Sequence, residues 1–102
     1  MPVSVAQIDS QRLILLEGRV GVACAGELKR LLLEEISSGR NLCVDLERAE
    51  EIDFSILQLL WAAEREAERR GIEMISRASE AAAGAARDAG FGAVPGTGIL
   101  HA

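Results

Sequence analysis

The side chains with the clearest chemical potential fall close together: Asp53, Ser55 and Gln58. Asp-x-Ser puts a carboxylate two residues ahead of a hydroxyl, and Ser-x-x-Gln is a capping-box spacing at the head of an apolar helical run. Two chemistries fit Ser55. Its oxygen can accept a backbone N–H as a helix cap, worth about 1 kcal/mol. Its hydroxyl, exposed at a helix start, can instead accept a phosphoryl group. Asp53 can cap the helix or satisfy turn amides, or it can support an acceptor loop and touch a partner. Asp45, at the end of an apolar run, reads as a loop-capping acid.

Catalytic and metal constellations do not assemble from the rest of the chain. Cys24 and Cys43 lie far apart, neither in a CxxC, and the single histidine is His101 beside the C-terminus. Zinc sites need about four closely spaced Cys, His or carboxylate ligands. A Ser-His-Asp or Cys-His mechanism needs an internal base. No GxxxxGK phosphate cradle is present. The expectation is a chain that is not an enzyme, holds no metal and needs no cofactor. Both cysteines are expected as small buried hydrophobes in a reducing compartment.

The elements that position Asp53 and Ser55 belong to a chain of 102 residues, 49% hydrophobic and 26% charged. That is the composition of one globular domain, spanning 1–102. The net charge is -5, from 16 acidic and 11 basic residues. No basic cluster exceeds Arg69-Arg70, which excludes the counterion-displacing surface of a nucleic-acid binder and a patch for anionic membranes. No apolar run approaches the roughly 20 residues of a membrane span. The segment from Met1 to Val5 lacks the features of a signal peptide. A cytoplasmic location is expected.

Val3, Val5 and Ile8 among polar neighbours predict a strand over 3–8, and Asp9-Ser10 a turn into a second strand over 11–17. A helix is expected over 23–38, with Ala25, Leu28, Leu32 and Ile36 on one face and Lys29, Arg30, Glu34 and Glu35 mostly on the other. Gly39 ends it. Residues 41–46 read as a strand buried on both faces, followed by an acidic stretch from Glu47 to Asp53. A second helix covers 55–70. At 100° per residue, Leu59, Leu60, Ala63 and Ala67 fall within about 60° of Ile56, whereas Leu57 and Trp61 lie near 100° and 140°. Leu57 and Trp61 therefore read either as packing against a neighbouring helix or as an exposed patch for a partner. Ile72 to Ser76 forms a fourth strand, and 79–89 an alanine-rich third helix ended by Gly90. The order β-β-α-β-α-β-α predicts an α/β fold: one mixed sheet of four to five strands with helices packed against it. The core is expected over about 3–92, with 93–102 a loosely held tail carrying at most a short strand or helical turn.

Several of these stretches carry a family resemblance. The strand Leu42-Cys43-Val44-Asp45-Leu46, the turn Ile52-Asp53-Phe54-Ser55 with Leu57 and Leu60 behind it, the helix stop Arg70-Gly71 before Ile72 to Ile75, and Ala89-Gly90-Phe91 resemble the STAS domain. That domain occurs in anti-sigma-factor antagonists and in the cytoplasmic tails of sulfate transporters. The resemblance implies a bacterial regulatory binding module that works by partner switching. Its partner would be a serine kinase, an anti-sigma factor or a signalling-complex protein, and phosphorylation would end the binding. By the same resemblance Ser55 is the phosphoacceptor, and Asp53, Phe54, Ser55, Leu57 and Trp61 form the partner surface. Two departures stand out: Phe54 where the antagonists carry a small residue, and Ile56 where they carry glycine. The string from Asp53 to Leu59 also resembles STAS proteins of chemotaxis gene clusters. The alternative implied is a constitutive STAS accessory subunit, of an ABC-type transporter or of a chemosensory complex. Some STAS domains bind nucleotides or lipids, which would make 19–26 a pocket edge. The edge strand and the Trp61 patch allow a monomer or a weak dimer.

Charge makes a phosphoryl switch physically reasonable. Phosphoserine carries about -1.5 to -2 at neutral pH, which a helix N-terminus tolerates. Glu47, Glu50, Glu51 and Asp53 precede Ser55, and the nearest preceding arginine is Arg48. The new charge is expected to face outward into an acidic patch.

Overall fold

The computed structural model describes residues 3–8, 11–92 and 94–96. Four strands, β1 (Val3–Ile8), β2 (Gln11–Val20), β3 (Leu42–Ile52) and β4 (Met74–Ala78), form one sheet in the order β1-β2-β3-β4. β1 runs antiparallel to β2, while β2, β3 and β4 are parallel neighbours. Helix α1 (Ala25–Ser37), entered through a single 3₁₀ turn at Val22–Cys24, joins β2 to β3. Helix α2 (Phe54–Arg69) joins β3 to β4, and α3 (Glu80–Asp88) follows β4. Each crossover advances one strand in the same direction. The right-handed rule then sets α1 and α2 on one face of the sheet, where they pack on each other. The predicted element order holds, with four strands among the described residues. The Asp9-Ser10 turn and any structure over 97–102 lie outside them.

The sheet's alternation decides what faces the helices. Ile14 and Leu16 of β2, Leu42, Val44 and Leu46 of β3, and Met74 of β4 are fully buried, while Leu13, Leu15 and Ile75 between them are half-buried. The helices close this face with Leu28, Leu32, Ile36, Ile56, Leu57, Leu60, Ala63, Ala67, Ala82 and Ala86, all in one cluster. Arg12 shares the helix-facing side and meets Glu35 of α1. Its Nε lies 2.9 Å from Glu35 Oε1, and Nη2 donates to Oε2 at 3.1 Å. Glu35, expected on the solvent side of α1, is therefore buried, because a charge under a helix is tolerated when an opposite charge pairs with it.

β2 and β3 are longer than the hydrophobic pattern suggested. The acidic stretch after Leu46 is strand, pairing Glu17 with Arg48, Gly18 with Ala49, Arg19 with Glu51 and Val20 with Ile52. The register slips between Leu15 and Glu17 and again between Gly18 and Arg19, each time placing an extra residue in β3. These bulges break the two-residue alternation, so the buried positions Leu46 and Ala49 stand three apart. Asp45 serves the first bulge: its Oδ1 accepts from Glu47 N at 2.9 Å. The loop-capping role expected of Asp45 is thus carried out inside a strand.

β4 starts at Met74 rather than Ile72, because Ile72 is spent on the helix stop. Its N–H donates to Ala67 O at 2.8 Å across Gly71, whose φ of 70° no branched residue adopts comfortably. Gly90 (φ 89°) repeats the device, with Phe91 N donating to Ala86 O at 2.9 Å. The tail expected to be loose is anchored where it is described: Val94, Pro95 and Gly96 are buried. Ser76 Oγ donates to Pro95 O at 2.6 Å, and Gly96 N donates to Glu64 Oε2 at 2.7 Å. Residues 93 and 97–102 lie outside the described set.

Candidate functional site

The long β2–β3 pair delivers the chain to the head of α2. Asp53 N donates to Val20 O at 3.0 Å, tying the last residue before the helix to the end of β2. Asp53 is extended (φ -79°, ψ 152°) and is the N-cap. Its Oδ2 accepts from Ser55 N at 3.0 Å and from Ser55 Oγ at 2.6 Å. The Ser55 hydroxyl and then the Ser55 amide hold the Asp53 carboxyl below its ordinary value, against a small opposing effect of desolvation.

This corrects the capping assignment. Ser55 is the second helical residue, not the cap, and its oxygen donates to Asp53 rather than accepting from the helix. The Ser55–Gln58 box does not form, because an aspartate at 53 already satisfies the free amide of Ser55. Ser55 itself is half-buried, with its hydroxyl at the surface end of the helix.

The predicted partner surface divides. Phe54, the first helical residue, is 50% exposed, and its ring centroid lies 5.9 Å from that of Phe91. Trp61 is 46% exposed, with the Arg65 guanidinium 4.9 Å from its ring centroid. Leu57 is not part of the patch: it is 1% exposed and belongs to the core. The buried arc of α2 is centred near Leu60, about 40° from Ile56, so Leu57 falls roughly 60° inside it and Trp61 roughly 100° outside. Asp53, Phe54, Ser55 and Trp61 remain on the surface.

Ser55 also lines a shallow cleft of about 340 Å³ between α1 and α2, with Ala25, Gly26, Lys29, Gln58 and Leu59. Lys29 was legible only as a solvent-face residue of α1; its position beside Ser55 depends on how the two helices cross. Phe91 gave one signal in the sequence, its place directly after a helix-stopping glycine. A second depression is lined by Arg19, Val20, Gly21, Glu51, Ile52 and Asp53. The segment 19–26 thus contributes Arg19, Val20 and Gly21 to one depression and Ala25 and Gly26 to the other.

Other chemistry is sparse. Cys43 is buried, and burial pushes its thiol above the ordinary value, which leaves little thiolate at neutral pH. Cys24 is half-buried rather than buried, at the 3₁₀ turn, and both cysteines are free. Among the described residues no three His, Cys, Asp or Glu side chains gather for a metal ion, and no helix is long and apolar enough to cross a membrane. His101 lies outside the described residues.

A family model described as "Mlab, STAS domain" matches residues 3–94. No curated protein sequence gives a significant match. Among solved structures the chain is similar to the anti-sigma factor antagonist SpoIIAA in its unphosphorylated form, with 16% identity, a TM-score of 0.75, and coverage of 98% of this chain and 88% of that one. It is also similar to a serine-to-glutamate variant of RsbS from Moorella thermoacetica, with 20% identity, a TM-score of 0.68, and coverage of 88% and 79%. An anti-sigma factor antagonist from Thermotoga maritima, itself assigned only provisionally, matches with 14% identity and a TM-score of 0.65, over 74% of this chain and 66% of that one, just under two thirds of its length.

Proposed function

The chain belongs to the STAS domain family, and from that premise we propose that it is a regulatory protein-binding module whose partner surface lies at the head of α2 and is controlled by phosphorylation of Ser55. The observation that carries this reading is the placement of Ser55. Its hydroxyl stands at the surface end of α2, held at 2.6 Å by Asp53, beside the exposed ring of Phe54 and at the mouth of the α1–α2 cleft. On the helical wheel Ser55 lies about 100° from Phe54 and about 120° from Trp61, so a partner that covers all three wraps around the head of α2. Two similar structures support the reading in their own descriptions: one protein is named in its unphosphorylated form, and another carries glutamate in place of serine.

The energetics suit a switch. A phosphoryl group adds about -1.5 to -2 charge beside Asp53, Glu51 and Glu50. Like charge buried at an interface costs several kcal/mol, and about 1.4 kcal/mol is tenfold in affinity. A micromolar complex is lost while the fold remains. The module binds and does not catalyse. Its partner is a serine kinase, an anti-sigma factor or another signalling-complex protein in the bacterial cytoplasm, where free Cys24 and Cys43 are at home.

One observation favours a second reading. Phe54 sits directly before Ser55 with its ring against Phe91, a bulky neighbour for a hydroxyl that a kinase must reach. In that reading the same surface binds one subunit of a transporter or chemosensory complex constitutively. Intact mass of the protein from its own host, under growth and stress, separates the two. A shift of about 80 Da (one phosphoryl group) mapped to Ser55 is expected for the switch. Its absence under every condition overturns the switch in favour of the constitutive subunit.

A further inference from the structure

We propose that Lys29 of α1 is the internal counter-charge for a phosphoryl group on Ser55, so that modification bridges α1 and α2 across their cleft. The inference rests on the reading of Ser55 as phosphoacceptor and adds where the phosphoryl group goes.

The argument starts from the 2.6 Å bond between Ser55 Oγ and Asp53 Oδ2. In the transfer, a bond forms from Ser55 Oγ to the γ-phosphorus of a nucleoside triphosphate. The bond from that phosphorus to the β,γ-bridging oxygen breaks, a nucleoside diphosphate leaves, and the hydroxyl proton passes to the kinase's general base. The product has no hydrogen left to donate to Asp53. A dianion then stands where a donor stood, against a carboxylate already fixed by the Ser55 amide. Repulsion turns the phosphoryl group away from Asp53 and from Glu50 and Glu51 before it.

The side open to it is the α1–α2 cleft, which Ser55 already lines. Most of that lining is apolar, and besides Ser55 itself the two side chains in it that can donate hydrogen bonds are Lys29 and Gln58. Lys29 is exposed, and among the described residues no carboxylate is paired with it, whereas the adjacent Arg30 is held by Glu34 at 3.0 Å. An ammonium on a flexible four-carbon stem suits the task, since it reaches a mobile anion without a fixed docking geometry. The phosphoryl group therefore finds a cation on the neighbouring helix, not only the acidic patch its sequence neighbours suggest.

The test is a ³¹P NMR pH titration of the full chain with phosphoserine genetically encoded at position 55, alone and with Lys29→Met or Lys29→Arg. Lys29 lies outside the core, so both variants fold. The second phosphate ionisation is expected roughly half a unit lower with Lys29 than with Met, as an opposite charge nearby requires. Arginine should restore the low value, and about 1 M salt should narrow the difference. Identical titrations in the three chains overturn the proposal. The native-mass measurement judges the acceptor reading separately, since the titration involves neither kinase nor partner.

Discussion

Ser55 donates its hydroxyl to the carboxylate of Asp53 at 2.6 Å, and Asp53 in turn caps the helix that carries Ser55. The helix cap and the candidate switch are therefore one hydrogen-bonded unit. Its first consequence is in acid. The folded Asp53 carboxyl lies below its unfolded value, so its stabilising contribution is complete above the ordinary carboxylate range and is lost as pH falls through the folded value. Ser55→Ala removes the larger cause of the depression. The Asp53 carboxyl carbon, followed by NMR, should titrate at higher pH in that variant, and acid unfolding should begin at higher pH. An unchanged Asp53 titration would contradict the geometry.

The second consequence separates surface from core on the same helix. Leu57→Ala deletes a fully buried side chain and should cost about 3 kcal/mol of stability, read by chemical denaturation. Phe54→Ala and Trp61→Ala should cost much less, since half of each ring already faces water. In a titration with the cognate partner the order should invert, with Trp61→Ala weakening binding by tenfold or more if it is a hot spot. Equal destabilisation by Leu57→Ala and Trp61→Ala would contradict this division of α2.

How much of this was legible beforehand depends on the range of the interaction. Element order, the glycine helix stops at Gly71 and Gly90, and the capping option for Asp53 are written in local spacing, and they hold. What local spacing does not encode is how one element leans on another. Leu57 looked available because a helical wheel has no knowledge of its neighbours, and the docking of α2 turned the buried arc toward it. Glu35 looked solvent-facing because its partner, Arg12, comes from a strand 23 positions earlier. The second half of β3 looked like a loop because two bulges scramble its alternation while β2 supplies its hydrogen bonds. The anchoring of Pro95 and Gly96 by Ser76 and Glu64 is long-range in the same sense.

The Arg12–Glu35 pair fastens α1 to the sheet from beneath. Glu35 retains 9% of its side-chain exposure and Arg12 29%, so the pair is only partly screened. Arg12→Met leaves a carboxylate under the helix without its counter-charge. Breaking a buried pair costs about 3–5 kcal/mol, and the partial exposure of Arg12 reduces the expectation to about 2 kcal/mol. Adding Glu35→Leu should recover most of that loss, since the apolar pair has no charge to desolvate. A double variant as unstable as the sum of the singles would show that the two side chains act independently.

Gly96 closes the molecule against α2 and β4, and its tolerance for substitution tests whether that closure matters. At φ 155° its backbone is one that side chains rarely adopt, and a Cβ there would overlap the Ser76 hydroxyl and crowd the Ser76 backbone. Gly96→Ala must therefore displace either the segment or Ser76. Both outcomes weaken the Ser76–Pro95 bond, and displacing the segment also weakens the Gly96–Glu64 bond. Strain of this kind costs about 1–3 kcal/mol. Trp61, Glu64, Phe91 and Pro95 line one depression with Gly96, so a displaced segment should alter the Trp61 environment. A red-shifted Trp61 fluorescence and faster amide exchange over 90–96, with α1 protected as before, are expected for Gly96→Ala. If fluorescence, exchange and stability all match the parent chain, the segment does not depend on the Ser76 and Glu64 anchors.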